Sequence, residues 1–169
     1  MRLDEIVSEN IRLRESLSKV LERNGFDYNL SFEKEGEFER DYSKLEKGHI
    51  TFILNEYVIN AHKAIYGTDQ SPYRAPNAEK LKTIPARIRV NLKEESNAYV
   101  LSVNDNGDGI PPENKERIFR DRFSTRGTTG MGLSLVRDNA IFKLKGYVDF
   151  DSEVGKGSTF KLYLPKNER

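Results

Sequence analysis

Asp105-Asn-Gly-Asp-Gly-Ile-Pro-Pro112 follows directly on an apolar strand, and Gly130-Met-Gly-Leu133 opens directly into an apolar, helix-like run. At the first stretch a carboxylate fixed at a strand end can accept a hydrogen bond from a ligand. Gly107 and Gly109 let backbone approach a flat group closely. At the second, Gly130 and Gly132 expose N–H groups at a helix start, where an anion is stabilised. Between them lies a mostly polar segment with Ile118, Phe119 and Phe123 at its centre. A base suits one end and phosphates the other. Residues 105–132 read as a nucleotide pocket with a mobile lid.

Working outward, Tyr99, Leu101 and Val103 alternate with other residues and form the strand that delivers Asp105. Ile88, Val90 and Leu92 alternate with Arg87, Arg89, Asn91 and Lys93, and Glu94 to Asn97 turn the chain between the two strands. Tyr28, Leu30 and Phe32 mark an earlier strand. Downstream, Leu133, Leu135, Val136, Ala140 and Ile141 predict a helix ending near Gly146. Val148 and Phe150 mark a strand, Gly155-Lys-Gly157 a tight turn, and Phe160, Leu162 and Leu164 a last strand stopped by Pro165. Residues 34–47 are charged and read as a surface connection. Residues 67–85, with Gly67, Pro72, Pro76 and Pro85, read as a loop or insertion.

Two more helices precede the pocket. Residues 3–23 carry Leu3, Ile6, Leu13, Leu17 and Val20 at alternating three- and four-residue spacing, with Asn10 at the polar seam position. This is either a short coiled-coil seam, suited to a homodimer, or a helix packed on its own domain. Asn24-Gly25 end it. Residues 48–66 present Leu54, Val58, Ala61 and Ile65 on one face and Glu56, Asn60 and Lys63 on another. The second face is either a solvated charge pair or a chemical constellation; Asn60-Ala61 within so apolar a helix favours function. These elements predict an α+β fold, a two-layer sandwich with a mixed sheet of about five strands packed on three helices and a short lid. Residues 1–24 are expected to be a linker helix and residues 25–169 the nucleotide-binding domain.

The bulk composition excludes several classes. The 169 residues suffice for one domain with a real core, 36% are hydrophobic and 33% charged. A net charge of +1 provides no field for nucleic acid or an acidic membrane. The absence of cysteine excludes disulfides and thiol metal sites. No apolar run spans a bilayer, and the charged start, Arg2 to Glu5, is not a signal peptide. A cytoplasmic setting is expected.

Four motifs in order resemble those of the GHKL ATPases, the superfamily of gyrase, the large heat-shock chaperones, the MutL mismatch-repair proteins and histidine kinases. Asn60-Ala61 resembles the N box. Asp105-x-Gly107-x-Gly109-Ile110 resembles the first glycine box, and Gly130-x-Gly132-Leu133 the second. Gly155-x-Gly157-x-Thr159-Phe160 resembles the glycine-threonine motif before the last strand. The likeness spans residues 27 to 165 and implies the Bergerat fold. Ile118-Phe119 with Phe123-Ser-Thr-Arg126 resembles the F box and short lid of sensor histidine kinase catalytic domains. The Gly-x-Gly-Ser-Thr-Phe-x-Leu-x-Leu-Pro ending is also similar to theirs.

The resemblance implies roles. Asp105 would hold the adenine amino group of ATP, with Thr159 supporting that end. Asn60 would ligate Mg2+ through its amide oxygen. Lys63 and Arg126 would meet phosphates, and Gly130 and Gly132 would offer them N–H groups. The lid would close and exclude water. The partners implied are a separate dimerisation domain carrying the phosphoacceptor histidine, and a response regulator. Neither histidine of this chain, His49 or His62, stands in a phosphoacceptor context, and His62 is expected at the pocket rim or in solvent. Departures from the pattern matter. Glu56 stands where many histidine kinases have asparagine and where hydrolytic members have a general base. Thr128 replaces a glycine two residues before Gly130. Hydrolysis driven by Glu56, or a serine kinase or binding module of the anti-sigma type, are the alternatives to histidine phosphorylation.

Overall fold

The computed structural model describes residues 1–67, 78–120 and 132–167. Among these residues five strands form one mixed sheet: β1 (Tyr28–Glu35), β2 (Ala86–Glu94), β3 (Ala98–Asp105), β4 (Tyr147–Glu153) and β5 (Gly157–Pro165), in the order β1-β2-β3-β5-β4. Only β1 and β2 pair in parallel; the other neighbours are antiparallel. The parallel pair follows from the long helix between them, since parallel neighbours need a crossover, whereas hairpins join β2 to β3 and β4 to β5, and β3 meets β5 from far along the chain.

Among the described residues three main helices cover one face: α1 (Leu3–Arg23), α2 (Lys44–Tyr66) and α5 (Gly132–Asp138), which continues into a π-helical turn, Asn139–Lys143. Two single-turn helices, α3 (Ala78–Leu81) and α4 (Pro112–Lys115), lie in the connections. Alternation along the strands sets the two faces. Ile88, Val90, Leu92, Tyr99, Leu101, Val103, Phe160, Leu162 and Leu164 are buried under the helices. Arg87, Arg89, Lys93 and Asn104, one residue out of phase, are exposed. The α+β two-layer sandwich is as the sequence predicts.

Residues 34–47 differ from the expected surface connection. β1 runs on to Glu35 and α2 starts at Lys44, four residues earlier than the apolar pattern shows. Ser43 Oγ accepts the Glu46 N–H and Glu46 accepts the Ser43 N–H, a capping box that nucleates the helix before its apolar face begins. Phe38 and Tyr42 are buried, because this segment straps the end of the sheet: Glu39 N–H donates to Tyr99 OH at 3.2 Å and Arg40 to the Pro165 carbonyl at 2.8 Å.

α1 divides into two halves. Leu3, Ile6, Val7 and Ile11 are at most 2% exposed, in the core with β1 and α2, and Asn10 is buried with them. Leu13, Leu17 and Val20 are 74%, 42% and 47% exposed. The seam positions therefore split, with Leu3, Ile6 and Asn10 facing the chain's own core and the last three facing outward.

Candidate nucleotide site

β3 ends at Asp105, whose side chain shares the helix-facing phase of Tyr99, Leu101 and Val103 and is 3% exposed. Its Oδ1 accepts the Gly107 N–H at 2.8 Å, which fixes the carboxylate at the start of the glycine turn. The turn then runs hard against α2. Asp108 N–H donates to the Ala64 carbonyl at 3.1 Å, and a Cβ on Gly107 would lie 2.5 Å from the Ala64 Cβ. Only glycine permits that approach. Gly109 has φ +74, the left-handed conformation that turns the chain toward Ile110. Ile110 N–H donates to Ser152 Oγ at 2.8 Å, tying the turn to β4.

α2 supplies the polar stripe. Glu56 and Asn60 are one turn apart on one face, and Lys63 follows on the next; all three are half-buried. A Cβ on Gly132 would lie 2.5 Å from Glu56 Oε2, so this carboxylate reaches the first residue of α5. α2 therefore touches both glycine boxes, Gly107 through Ala64 and Gly132 through Glu56. Leu133, next along α5, packs against the core. Asp105, Gly107, Gly109 and Ile110 at the end of β3, Glu56, Asn60 and Lys63 on α2, and Gly132 and Leu133 on α5 thus border one region.

Phe119 lies just before the stretch expected to form the lid. Its ring packs edge-on to Phe150 at 5.8 Å and to Phe160 at 6.4 Å, and its carbonyl accepts a hydrogen bond from Arg137 Nη1 at 2.8 Å. Phe123, Arg126, Thr128 and Gly130 lie outside the described residues.

Two expectations are corrected. Thr159 does not join Asp105. It is out of phase with Phe160 on β5, so it points to the opposite face of the sheet, where its Oγ1 accepts from Asn104 Nδ2 at 2.8 Å. A surface cavity of about 380 Å3 at this end of the sheet is lined by Thr159, Asn104, Asp151 and Lys156 and also by Ser152 and Ser158. Nor does His62 point to the pocket rim or solvent. It turns toward β1, where its Nε2 and the Tyr28 hydroxyl share a 2.7 Å hydrogen bond and the rings stack at 5.6 Å. Burial, and secondarily the Arg14 guanidinium, lower its pKa to about 4.

Residues 46–168 match the family described as histidine kinase-, DNA gyrase B-, and HSP90-like ATPase. The chain belongs to that family. The sensor kinase CckA of Brucella abortus is 33% identical over 126 residues, which are 73% of this chain and 13% of that protein. The chain thus spans a small fraction of the length of this relative. The catalytic domain of the histidine kinase ThkA superposes with a TM-score of 0.72 at 24% identity, over 97% of this chain and 94% of that domain. ThkA in complex with the response regulator protein TrrA gives 0.70 at 22% identity, over 99% of this chain and 41% of that one. The fold is that of histidine kinase catalytic domains.

Beside Asp105 lie two polar residues that motif spacing did not single out, Ser158 and Ser152. Ser158 pairs opposite Asp105 and is buried on its face. Its Oγ lies 2.8 Å from Ser152 Oγ, the atom that receives the Ile110 N–H. The signal was the phase of β5, since residue 158 alternates with Phe160, Leu162 and Leu164 whereas residue 159 does not.

The side-chain oxygens of the Glu56–Asn60 stripe are compatible with a divalent cation. Asn60 Nδ2 is buried with no hydrogen-bond partner among the described residues, so the amide is held by no neighbour on this side. The donors on this stripe are an amide and a carboxylate, the hard oxygens that Mg2+ takes. Among the described residues no group of three or more His, Asp or Glu side chains could hold a metal.

Proposed function

We propose that this domain binds Mg-ATP and transfers the γ-phosphoryl group to a histidine on a separate dimerisation domain, from which a response regulator takes it. The supporting observation is the double contact of α2, with Ala64 against Gly107 and Glu56 against Gly132. One helix thereby joins the turn below the base-binding aspartate to the glycine at the phosphate end.

In this reading Asp105 accepts the adenine amino hydrogen, with Ser158 and Ser152 bracing the floor beneath it. Asn60 holds the Mg2+ through its amide oxygen, with Glu56 beside it; the ion supplies charge neutralisation and alignment of the phosphates. Lys63 and Arg126 contact phosphate oxygens as cations, and Gly130 and Gly132 offer N–H groups. Phe119 roots the lid in the aromatic cluster, so closure over ATP excludes water from the transferring group. Helix α1, whose buried half is part of the domain's own core, leads from the catalytic domain to the dimerising part, and its outward Leu13, Leu17 and Val20 face a second copy. No described helix is long and apolar enough to cross a membrane. We place the domain in the cytoplasm, where its ATP is.

Glu56 supports a second reading. A carboxylate on the N-box stripe can take a proton from water or from a protein hydroxyl, which gives hydrolysis or serine phosphorylation. Labelled ATP, with and without a histidine-bearing dimerisation domain, separates the outcomes. Acid-labile protein label that requires the partner is expected. Steady phosphate release abolished by Glu56→Gln would replace this reading with hydrolysis, and acid-stable label would replace it with a serine kinase.

A further inference from the structure

α2 carries a second polar stripe, turned away from the pocket. Thr51, Asn55 and His62 face α1 and β1, and each has a partner there. Asn10 Nδ2 donates to Thr51 Oγ1 at 3.3 Å, Arg14 Nη2 donates to Asn55 Oδ1, and His62 pairs with Tyr28. Arg14 is the centre of this ladder. Its other nitrogen, Nη1, donates to the Asn10 carbonyl at 3.3 Å, so one guanidinium spans both helices. Asn10 in turn donates to the Ile6 carbonyl at 2.8 Å, which ties the ladder to the buried half of α1.

An apolar seam would bury these positions at lower cost, because half-buried polar groups lose hydration and regain only part of it in hydrogen bonds. Directional bonds give what apolar contacts do not: they fix the height and rotation of one helix against another. The rung that Arg14 holds is Asn55, the residue immediately before Glu56. A shift of α1 along its axis would therefore reach Glu56 and Asn60 through one peptide unit and one helical turn.

We infer that Arg14 is a positioning residue for the triphosphate end of the pocket, acting through Asn55 on Glu56 and Asn60, so that α1 sets how the metal–phosphate face of α2 is presented. This rests on the assignment of that face to Mg-ATP above.

The test is binding to the full chain of three probes: Mg-ATP, ATP with EDTA, and adenosine. Each variant is described by the gain in ATP affinity that Mg2+ confers. Arg14→Met and Asn55→Ala should each reduce that gain about 3–10-fold, the size of one hydrogen bond, with adenosine affinity within about twofold of the parent. The double variant should be no worse than either single one, because both remove the same bond. Asn55→Asp, which keeps an acceptor for the guanidinium, should retain the gain. If Arg14→Met fails to fold, Asn55→Ala and Asn55→Asp carry the same comparison. An unchanged Mg2+ gain in these variants overturns the inference, as do additive effects or a parallel loss of adenosine binding. A parent chain that binds ATP with no Mg2+ gain overturns both this inference and the reading of the pocket, whereas normal parent behaviour with indifferent variants overturns the inference alone.

Discussion

Ser158 stands directly across the β3–β5 ladder from Asp105, and both side chains are buried on the helix-facing side of the sheet. Thr159, its neighbour, hydrogen-bonds to Asn104 on the opposite face. Ser158 is further linked to Ser152, whose Oγ receives the Ile110 N–H and contacts the Gly157 carbonyl at 3.1 Å. The two serines therefore hold the last hairpin and the first glycine box in one frame around the aspartate.

That frame separates two adjacent hydroxyls. Ser158→Ala should weaken ATP binding about 3–10-fold, the net worth of a buried hydroxyl's hydrogen bonds, and Thr159→Ala should change it less than about twofold. Calorimetric titration of both variants decides the matter. Equal losses would mean that the strand phase does not determine which hydroxyl serves the pocket.

Asp105→Asn keeps an oxygen for the Gly107 N–H but replaces a charged acceptor with a neutral amide. A hydrogen bond to a charged group contributes about 1.5–3 kcal/mol, so ATP and adenosine affinity should both fall about 10–100-fold. The thermal midpoint should stay near that of the parent. Unchanged adenosine affinity would remove the aspartate from the base site.

The two glycines that touch α2 should respond differently to alanine. At Gly107 the new Cβ would lie within 2.8 Å of the Ala64 Cβ, carbonyl carbon and oxygen, all held in helix α2. Overpacking of this kind costs about 1–3 kcal/mol, read as a lower unfolding midpoint in urea. At Gly132 the sole contact under 3 Å among the described residues is Glu56 Oε2, the far end of a flexible side chain. Gly132→Ala should keep its stability within about 0.5 kcal/mol and instead impair phosphoryl transfer by displacing the carboxylate. A Gly132→Ala chain as destabilised as Gly107→Ala would contradict this difference.

Much of this was legible in the sequence because local periodicity carries it. The phase of Tyr99, Leu101 and Val103 places Asp105 on the core side, and the steps from Glu56 to Asn60 to Lys63 place them on one helical face. The same phase on β5 excludes Thr159, but reading the motif by spacing alone set that signal aside. His62 shares a stripe with Asn55 on the helical wheel, yet which stripe meets β1 is decided by tertiary packing. Leu3, Ile6 and Asn10 follow the same spacing as Leu13, Leu17 and Val20. No local pattern distinguishes a helix's own sheet from a partner helix, so only the folded chain divides them. Phe38 and Tyr42 lie in a charged, aperiodic segment, and their burial depends on distant partners: Phe38 packs on Tyr99, and Tyr42 N–H donates to the Met1 carbonyl.

The lowered pKa of His62 sets an acid limit on the nucleotide-free fold. In the unfolded chain this imidazole takes a proton below about pH 6.5. In the folded chain burial, and then Arg14, resist protonation until about pH 4. Between those values the unfolded state binds more protons, so stability falls as pH falls. The contribution is complete above pH 6.5 and no longer changes below pH 4. At pH 4.5 the loss from this group should be about 2–3 kcal/mol. His62→Phe preserves an aromatic ring against Tyr28 and cannot titrate. Urea unfolding at pH 7.5 and pH 4.5 should therefore show a smaller acid loss in His62→Phe than in the parent, by that amount. Parallel losses in the two chains would show that His62 is free to take its proton in the folded protein.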